Sequence, residues 1–205
     1  MTSIAAITID VPDPAAAQRF YDEAFALGDR VGLRVSEAPT TGFRGFTLSL
    51  TVSQPANVDR LVDSAVAAGA TVLKPVSKSF WGYGGTVQAP DGTIWKVATP
   101  NKKDTAPASK DIDAVVLLLG VEDVAASKRF YVDHGVAVAK SFGRKYVEFA
   151  ATPDSPVRFG LYGRRALAKD AGVAPDGSGS HRITINGSAG AFTDPDGFVW
   201  DNPVN

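Results

Sequence analysis

The sequence predicts an α+β fold built as two tandem units, each a strand, a capped helix and several further strands. Three observations carry that reading. The first is that the chain resembles itself. Val11-Pro12-Asp13-Pro14-Ala15-Ala16-Ala17-Gln18-Arg19-Phe20-Tyr21 returns 110 positions later as Val121-Glu122-Asp123-Val124-Ala125-Ala126-Ser127-Lys128-Arg129-Phe130-Tyr131, with seven of eleven residues identical. The second is a further echo in the same order, at an offset of 105: Pro90-Asp91-Gly92-Thr93-Ile94-Trp95 returns as Pro195-Asp196-Gly197-Phe198-Val199-Trp200. Two ordered matches at nearly one offset mark a duplicated unit of about 100 residues. The third is periodicity, which switches along the chain between the alternation of half-buried strands and the stripe of amphipathic helices.

Each element follows from local signals. Ile7, Ile9 and Val11 alternate with Thr8 and Asp10, a strand with one apolar face. Asp13 then caps a helix with Pro14 at its first position, and Gly28 closes it. A strand follows over Val31–Ser36, and Phe46–Val52 alternates again. Val58, Leu61, Val62, Ala65 and Val66 form the clearest helical stripe, ended by Gly69. Strands are expected at Ala70–Val76, Thr86–Ala89 and Thr93–Ala98, the last after a Pro90-Asp91-Gly92 turn. The polar, proline-punctuated stretch at 100–110 reads as a linker, giving one unit at 1–99 and a second at 111–205. The second unit runs strand (Ile112–Gly120), helix (Asp123–His134) and strands at Val136–Ser141, Lys145–Ala150 and Val157–Tyr162. A Gly/Ser/Pro-rich loop (Val173–Ser180), a strand at Arg182–Asn186 and a closing hairpin complete it.

Composition excludes several functions. Lys plus Arg (21) nearly cancels Asp plus Glu (22), so no basic field exists for nucleic acid or an anionic membrane. With no cysteine, disulfides, thiolate metal sites and cysteine nucleophiles are excluded. The start of the chain lacks a signal-peptide pattern and no apolar run approaches a membrane span, so a cytoplasmic protein is expected. Gly82-Tyr83-Gly84-Gly85 lacks the strand-to-helix setting and the Lys-Ser/Thr pair of a phosphate loop. The short basic pairs, Arg164-Arg165 among them, read as solvated surface.

A strand ending in Val-x-Asp, a helix carrying Arg-Phe-Tyr and a late Asp-Pro-Asp-Gly-x-x-Trp hairpin resemble the glyoxalase / bleomycin-resistance / dioxygenase group, the vicinal oxygen chelate superfamily. The stretch from Lys74-Pro75 through Phe80-Trp81-Gly82-Tyr83-Gly84-Gly85 to Trp95 is similar to its glyoxalase-like branch. The resemblance implies paired βαβββ modules whose sheets curl around a cavity. Two departures stand out: the first unit is short of strands between Ser36 and Phe43, and the second lacks a helix between Asn186 and Phe192. The family's metal-ligand positions fall on Ala6, Val116, Thr47, Arg182 (with His181 one residue off), Lys96 and Asp201. One carboxylate among six positions is too few for a divalent ion, so neither a metal nor another cofactor is expected.

Strand parity gathers a concave face of Asp10, Thr47, Ser49, Lys96, Arg182, Asn186 and Asp201, mixed with Ala6, Ile94, Val116 and Val199. Apolar walls with a few converging polar groups suit a small molecule. Trp81 and Tyr83, in a glycine-rich loop, add aromatics for a planar ligand. The candidate binding residues are therefore Thr47, Ser49, Trp81, Tyr83, Lys96, Arg182, Asn186 and Asp201. The resemblance implies a metal-free protein that binds a small planar or aromatic molecule, as the bleomycin-resistance branch does. The alternative is a lyase or isomerase of glyoxalase type. It would be metal-dependent through Asp201, His181 and a further group such as Glu148. Otherwise it would be metal-free, with Asp10 or Asp201 as base and Lys96 or Arg182 stabilising an enolate. Apolar edges left by the missing elements would be covered by a second copy, so a homodimer is the remaining partner to expect.

Overall fold

The computed structural model describes residues 2–80, 82–153, 155–178 and 182–203. Trp81 and His181, both singled out above, lie outside the described residues. The chain runs β1 (Ile4–Val11), α1 (Pro14–Ala24), β2 (Val31–Val35), β3 (Thr41–Gly42), β4 (Phe46–Thr51), α2 (Pro55–Ala67), β5 (Thr71–Ser79), β6 (Gly82–Gln88) and β7 (Ile94–Thr99). It continues β8 (Ala114–Val121), α3 (Val124–Asp133), β9 (Val138–Phe142), β10 (Tyr146–Phe149), β11 (Val157–Gly163), α4 (Arg164–Ala171), β12 (Gly177–Ser178), β13 (Ile183–Gly187), β14 (Phe192–Thr193) and β15 (Val199–Asp201).

The helices begin where their caps place them. Asp13 accepts from the Ala16 amide at 3.0 Å, and Asp123 from those of Ala125 and Ala126 at 2.8 and 3.1 Å. Two complete βαβββ modules result, β4-α2-β5-β6-β7 and β8-α3-β9-β10-β11. In each, the first strand pairs with the last in parallel, and the others follow outward. The modules join edge to edge through antiparallel β4 and β8, in register from Phe46↔Leu119 to Thr51↔Ala114. The pairing crosses the 100–110 stretch and makes one eight-stranded curved sheet. The remaining strands form a smaller continuation: β1 pairs with β2 in parallel and with β13 antiparallel, and β13 carries β15 and then β14. β1 reaches the large sheet through one pair, Ile4↔Val157. Between Val35 and Phe46 only the two-residue β3 intervenes, and a turn replaces a helix between Gly187 and Phe192.

The helix-covered face holds the main core, where Val58, Leu61 and Ala65 of α2 are buried with Leu48, Leu50, Trp95 and Val97. The two sequence echoes meet here as clamps between helix and hairpin. Tyr21 donates to Asp91 at 2.5 Å, and its ring meets Trp95 edge-on. Tyr131 donates to Asp194 at 2.6 Å and accepts from Trp200 Nε1 at 3.2 Å. The copies differ by two residues: the second clamp uses Asp194, before Pro195, while Asp196, the counterpart of Asp91, holds the Ser127 hydroxyl and the Glu122 amide. Burial, then the adjacent Asp91 or Asp194, holds both tyrosine hydroxyls well above their usual range. Burial also raises the Asp194 carboxyl, against the bonds it accepts.

Two expectations need correction. The glycines at 82–85 are part of strand β6 rather than a loop. A Cβ at Gly84 would stand 2.7 Å from the Val97 carbonyl and at Gly85 2.9 Å from Val76, so glycine lets β6 lie close between β5 and β7. Arg165 is exposed as expected but Arg164 is not plain surface: the pair opens helix α4, followed by strong helix formers and ended by Gly172 at φ 86°. Arg164 donates to the carbonyls of Pro175 and Phe43, and its guanidinium lies 5.3 Å from the centre of the Phe43 ring.

Candidate functional site

The sheet face away from α1, α2 and α3 is concave in the paired modules, and α4 lies across one end of it. Leu167, Ala168 and Ala171 of α4 pack with Phe43 and Ile94, against which Leu118 and Tyr162 are partly buried. Lys74 Nζ donates to the Lys169 carbonyl at 2.7 Å, and Lys96 pairs with Asp170 at 2.7 Å. The strand register lines up one row across five strands, Thr86, Lys96, Ser49, Val116 and Arg158. Two recesses open beside the row, the smaller one against α4. One of about 310 Å³ lies over β6 and β7, with Thr86, Lys96 and Asp170 in its walls. One of about 660 Å³ lies over β8, β10 and β11, with Arg30, Glu148, Ala114 and Arg158 in its walls. Both volumes fall in the range of small-molecule sites.

The residues expected to form one concave face divide between two. Thr47, Ser49 and Lys96 lie on the paired modules, with Thr47 buried beside Leu118. Asp10, Asn186 and Asp201 lie on the smaller continuation, with β11 and β8 between the groups. There Arg34 pairs with Asp10 at 2.7 Å and donates to Thr184 at 3.1 Å, while Thr8 donates to Asn186 at 2.9 Å. Asp201 is exposed opposite Asn186. Two candidates turn out to be committed to the fold. Arg182 is buried and spends its guanidinium on the carbonyls of Asp10, Ser36 and Ala38. Tyr83 donates to Asp59 of α2 at 2.8 Å, so its ring lies on the helix-covered side, although its backbone borders the smaller recess. Parity gives the face of each strand correctly but not which strands are neighbours. Glu148, weighed above only as a metal ligand, and Arg30 and Arg158 lie in the larger recess. Residues 157–162 alternate with Arg158 opposite a buried Val157 and Phe159, which was the available signal.

These donors do not fit a divalent ion. Ala6 and Val116 offer no donor, Lys96 and Arg182 are cations with partners, and Asp201 stands apart. Asp201 and Glu148 lie on β15 and β10, which do not pair with each other. Among the described residues, no three His, Asp or Glu side chains gather as a metal site would need. No helix among them is long and apolar enough to cross a membrane.

Two βαβββ modules joined through their first strands, with helices outside and a concave face within, define the glyoxalase / vicinal oxygen chelate fold. Among solved structures, the chain is similar to glyoxalase I from Zea mays, with 14% identity and a TM-score of 0.62 over 98% of this chain and 91% of that one. It is also similar to a putative dioxygenase from Bacillus subtilis subsp. subtilis str. 168, with 13% identity and a TM-score of 0.57 over 95% of this chain and 71% of that one. At these identities the likeness is one of fold. No family model matches the chain, and no curated protein matches it.

Proposed function

We propose that this protein binds a small molecule on the concave face of its paired modules, through its own side chains and without a metal. The observation that carries this is the row Thr86-Lys96-Ser49-Val116-Arg158, whose two ends border recesses of about 310 and 660 Å³ and whose Ser49, Val116 and Arg158 are incompletely buried. A floor of small and polar groups between alanine and glycine walls gives a ligand both contact area and orientation. The ligand approaches Ser49 and Val116, which are half-buried at the middle of the row.

Val116→Trp tests the reading by filling the middle of the row. A mixed set of small metabolites is offered to the wild-type protein, and retention is read by native mass spectrometry. At least one is expected to be retained in stoichiometric amount, and Val116→Trp to weaken it about tenfold or more, equivalent to about 1.4 kcal/mol. Val199→Trp makes the same change on the exposed part of the smaller sheet and is expected to leave retention unchanged. Retention of nothing, or equal retention by Val116→Trp, contradicts the reading.

A further inference from the structure

The larger recess is unusual in the kinds of charge it gathers. Arg158 rises from β11, Glu148 from β10, Arg30 from the 3-10 turn Gly28–Arg30, and Asp113 stands before β8. Glu148 is opposite Gly160, two residues along β11 from Arg158, so the two charges are diagonal neighbours on one face. That places their Cα atoms about 7–8 Å apart. Gly160 between them carries no side chain, and a Cβ there would stand 2.8 Å from the Val147 carbonyl and 3.1 Å from the Leu118 side chain, so the floor between the two charges is packed by its neighbours. Among the described residues the ion pairs are Arg34–Asp10 and Lys96–Asp170, so the recess charges are not paired with one another. Arg30, which lines the recess, is held by Nε, which donates to the Leu27 carbonyl at 3.2 Å.

We infer that this recess takes a zwitterion of amino-acid type, its carboxylate on Arg158 and Arg30 and its ammonium on Glu148. This rests on the binding reading above and names its ligand class. A guanidinium matches a carboxylate with two parallel hydrogen bonds. An ionised carboxyl side chain offers only acceptors and so recognises a donor such as an ammonium. A ligand carrying a single charge leaves one of the two partners without a counter-charge. A zwitterion meets both, and Ala114, Ala139, Ala150 and Pro156 receive its apolar part.

The test offers the protein each of the twenty protein amino acids. The tightest binder is then compared with its N-acetyl form, which lacks the ammonium, and its methyl ester, which lacks the carboxylate. Binding is read by calorimetry. At least one amino acid is expected to bind, and each blocked form to bind about tenfold more weakly or worse. Arg158→Gln is expected to weaken the parent but not the ester, and Glu148→Gln to weaken the parent but not the N-acetyl form. Both are polar substitutions at incompletely buried positions, and unchanged thermal unfolding confirms that they fold. Binding of no amino acid, or equal binding of the blocked forms, overturns the inference. If no amino acid binds, or the blocked forms bind equally, while metabolites of the preceding test are retained and Val116→Trp weakens that retention, the zwitterion inference falls and the binding site stands.

Discussion

Replacing Trp200 with alanine is expected to lower the free energy of unfolding by about 3–5 kcal/mol, the range for deleting a large aromatic from a packed core. Trp200 is 1% exposed and touches the rings of Tyr131, Phe159 and Phe192, with centroids 5.8, 5.4 and 5.4 Å away. Its indole N–H is also a partner of the Tyr131 hydroxyl, so the substitution opens a cavity and loosens the clamp on Asp194 together. Domains of this size hold only about 5–15 kcal/mol in all, so one residue carries a large share. Urea unfolding followed by far-UV circular dichroism measures the loss. A change below about 1 kcal/mol would mean that the hairpin after Gly187 is not part of the cooperative core.

Raising the pH above about 10 is expected to unfold the protein more steeply than a chain with exposed tyrosines. Tyr21 and Tyr131 both have hydroxyls held well above the usual tyrosine value, chiefly by burial and secondly by Asp91 and Asp194. The sign follows from linkage. Their folded-state values exceed the unfolded one, so their contribution is complete below about pH 10 and is lost as pH rises toward the folded values. Each costs up to about 1.4 kcal/mol per pH unit over that window, and the two together up to about 2.8. Stability against urea from pH 8 to 11.5 measures the slope. The double substitution Tyr21→Phe, Tyr131→Phe removes both titrations and is expected to flatten the alkaline limb while lowering stability at neutral pH. An unchanged limb would show that the clamps do not set the alkaline behaviour.

The fold was largely legible because its signals are local. Asp13 and Asp123 are both helix caps, and the α2 stripe and the alternation of Phe46–Thr51 appear in the structure as read. α4 was missed because Gly163 gives no side-chain start signal and eight residues are too few for a stripe. The glycines of β6 were read as a loop because glycine marks both turns and close strand approach. Asp10, Asn186 and Asp201 were grouped with Ser49 and Lys96 on parity alone. Which strands are neighbours depends on the long-range pairing of β4 with β8 and β1 with β13, which no local pattern encodes. The same gap hid the larger recess, where Arg30 comes from a different part of the chain than Glu148 and Arg158.

The most direct measurement is where on the protein small molecules bind. Methyl-labelled protein is titrated with a library of small fragments, and perturbed signals from Ala, Ile, Leu and Val are mapped onto the fold. Shifts are expected to concentrate on Val116, Ala114, Ala98 and Ala150, around the row and its two recesses. Shifts confined to the smaller sheet, at Val199 and Ala6, or absent throughout, would contradict a binding face on the paired modules.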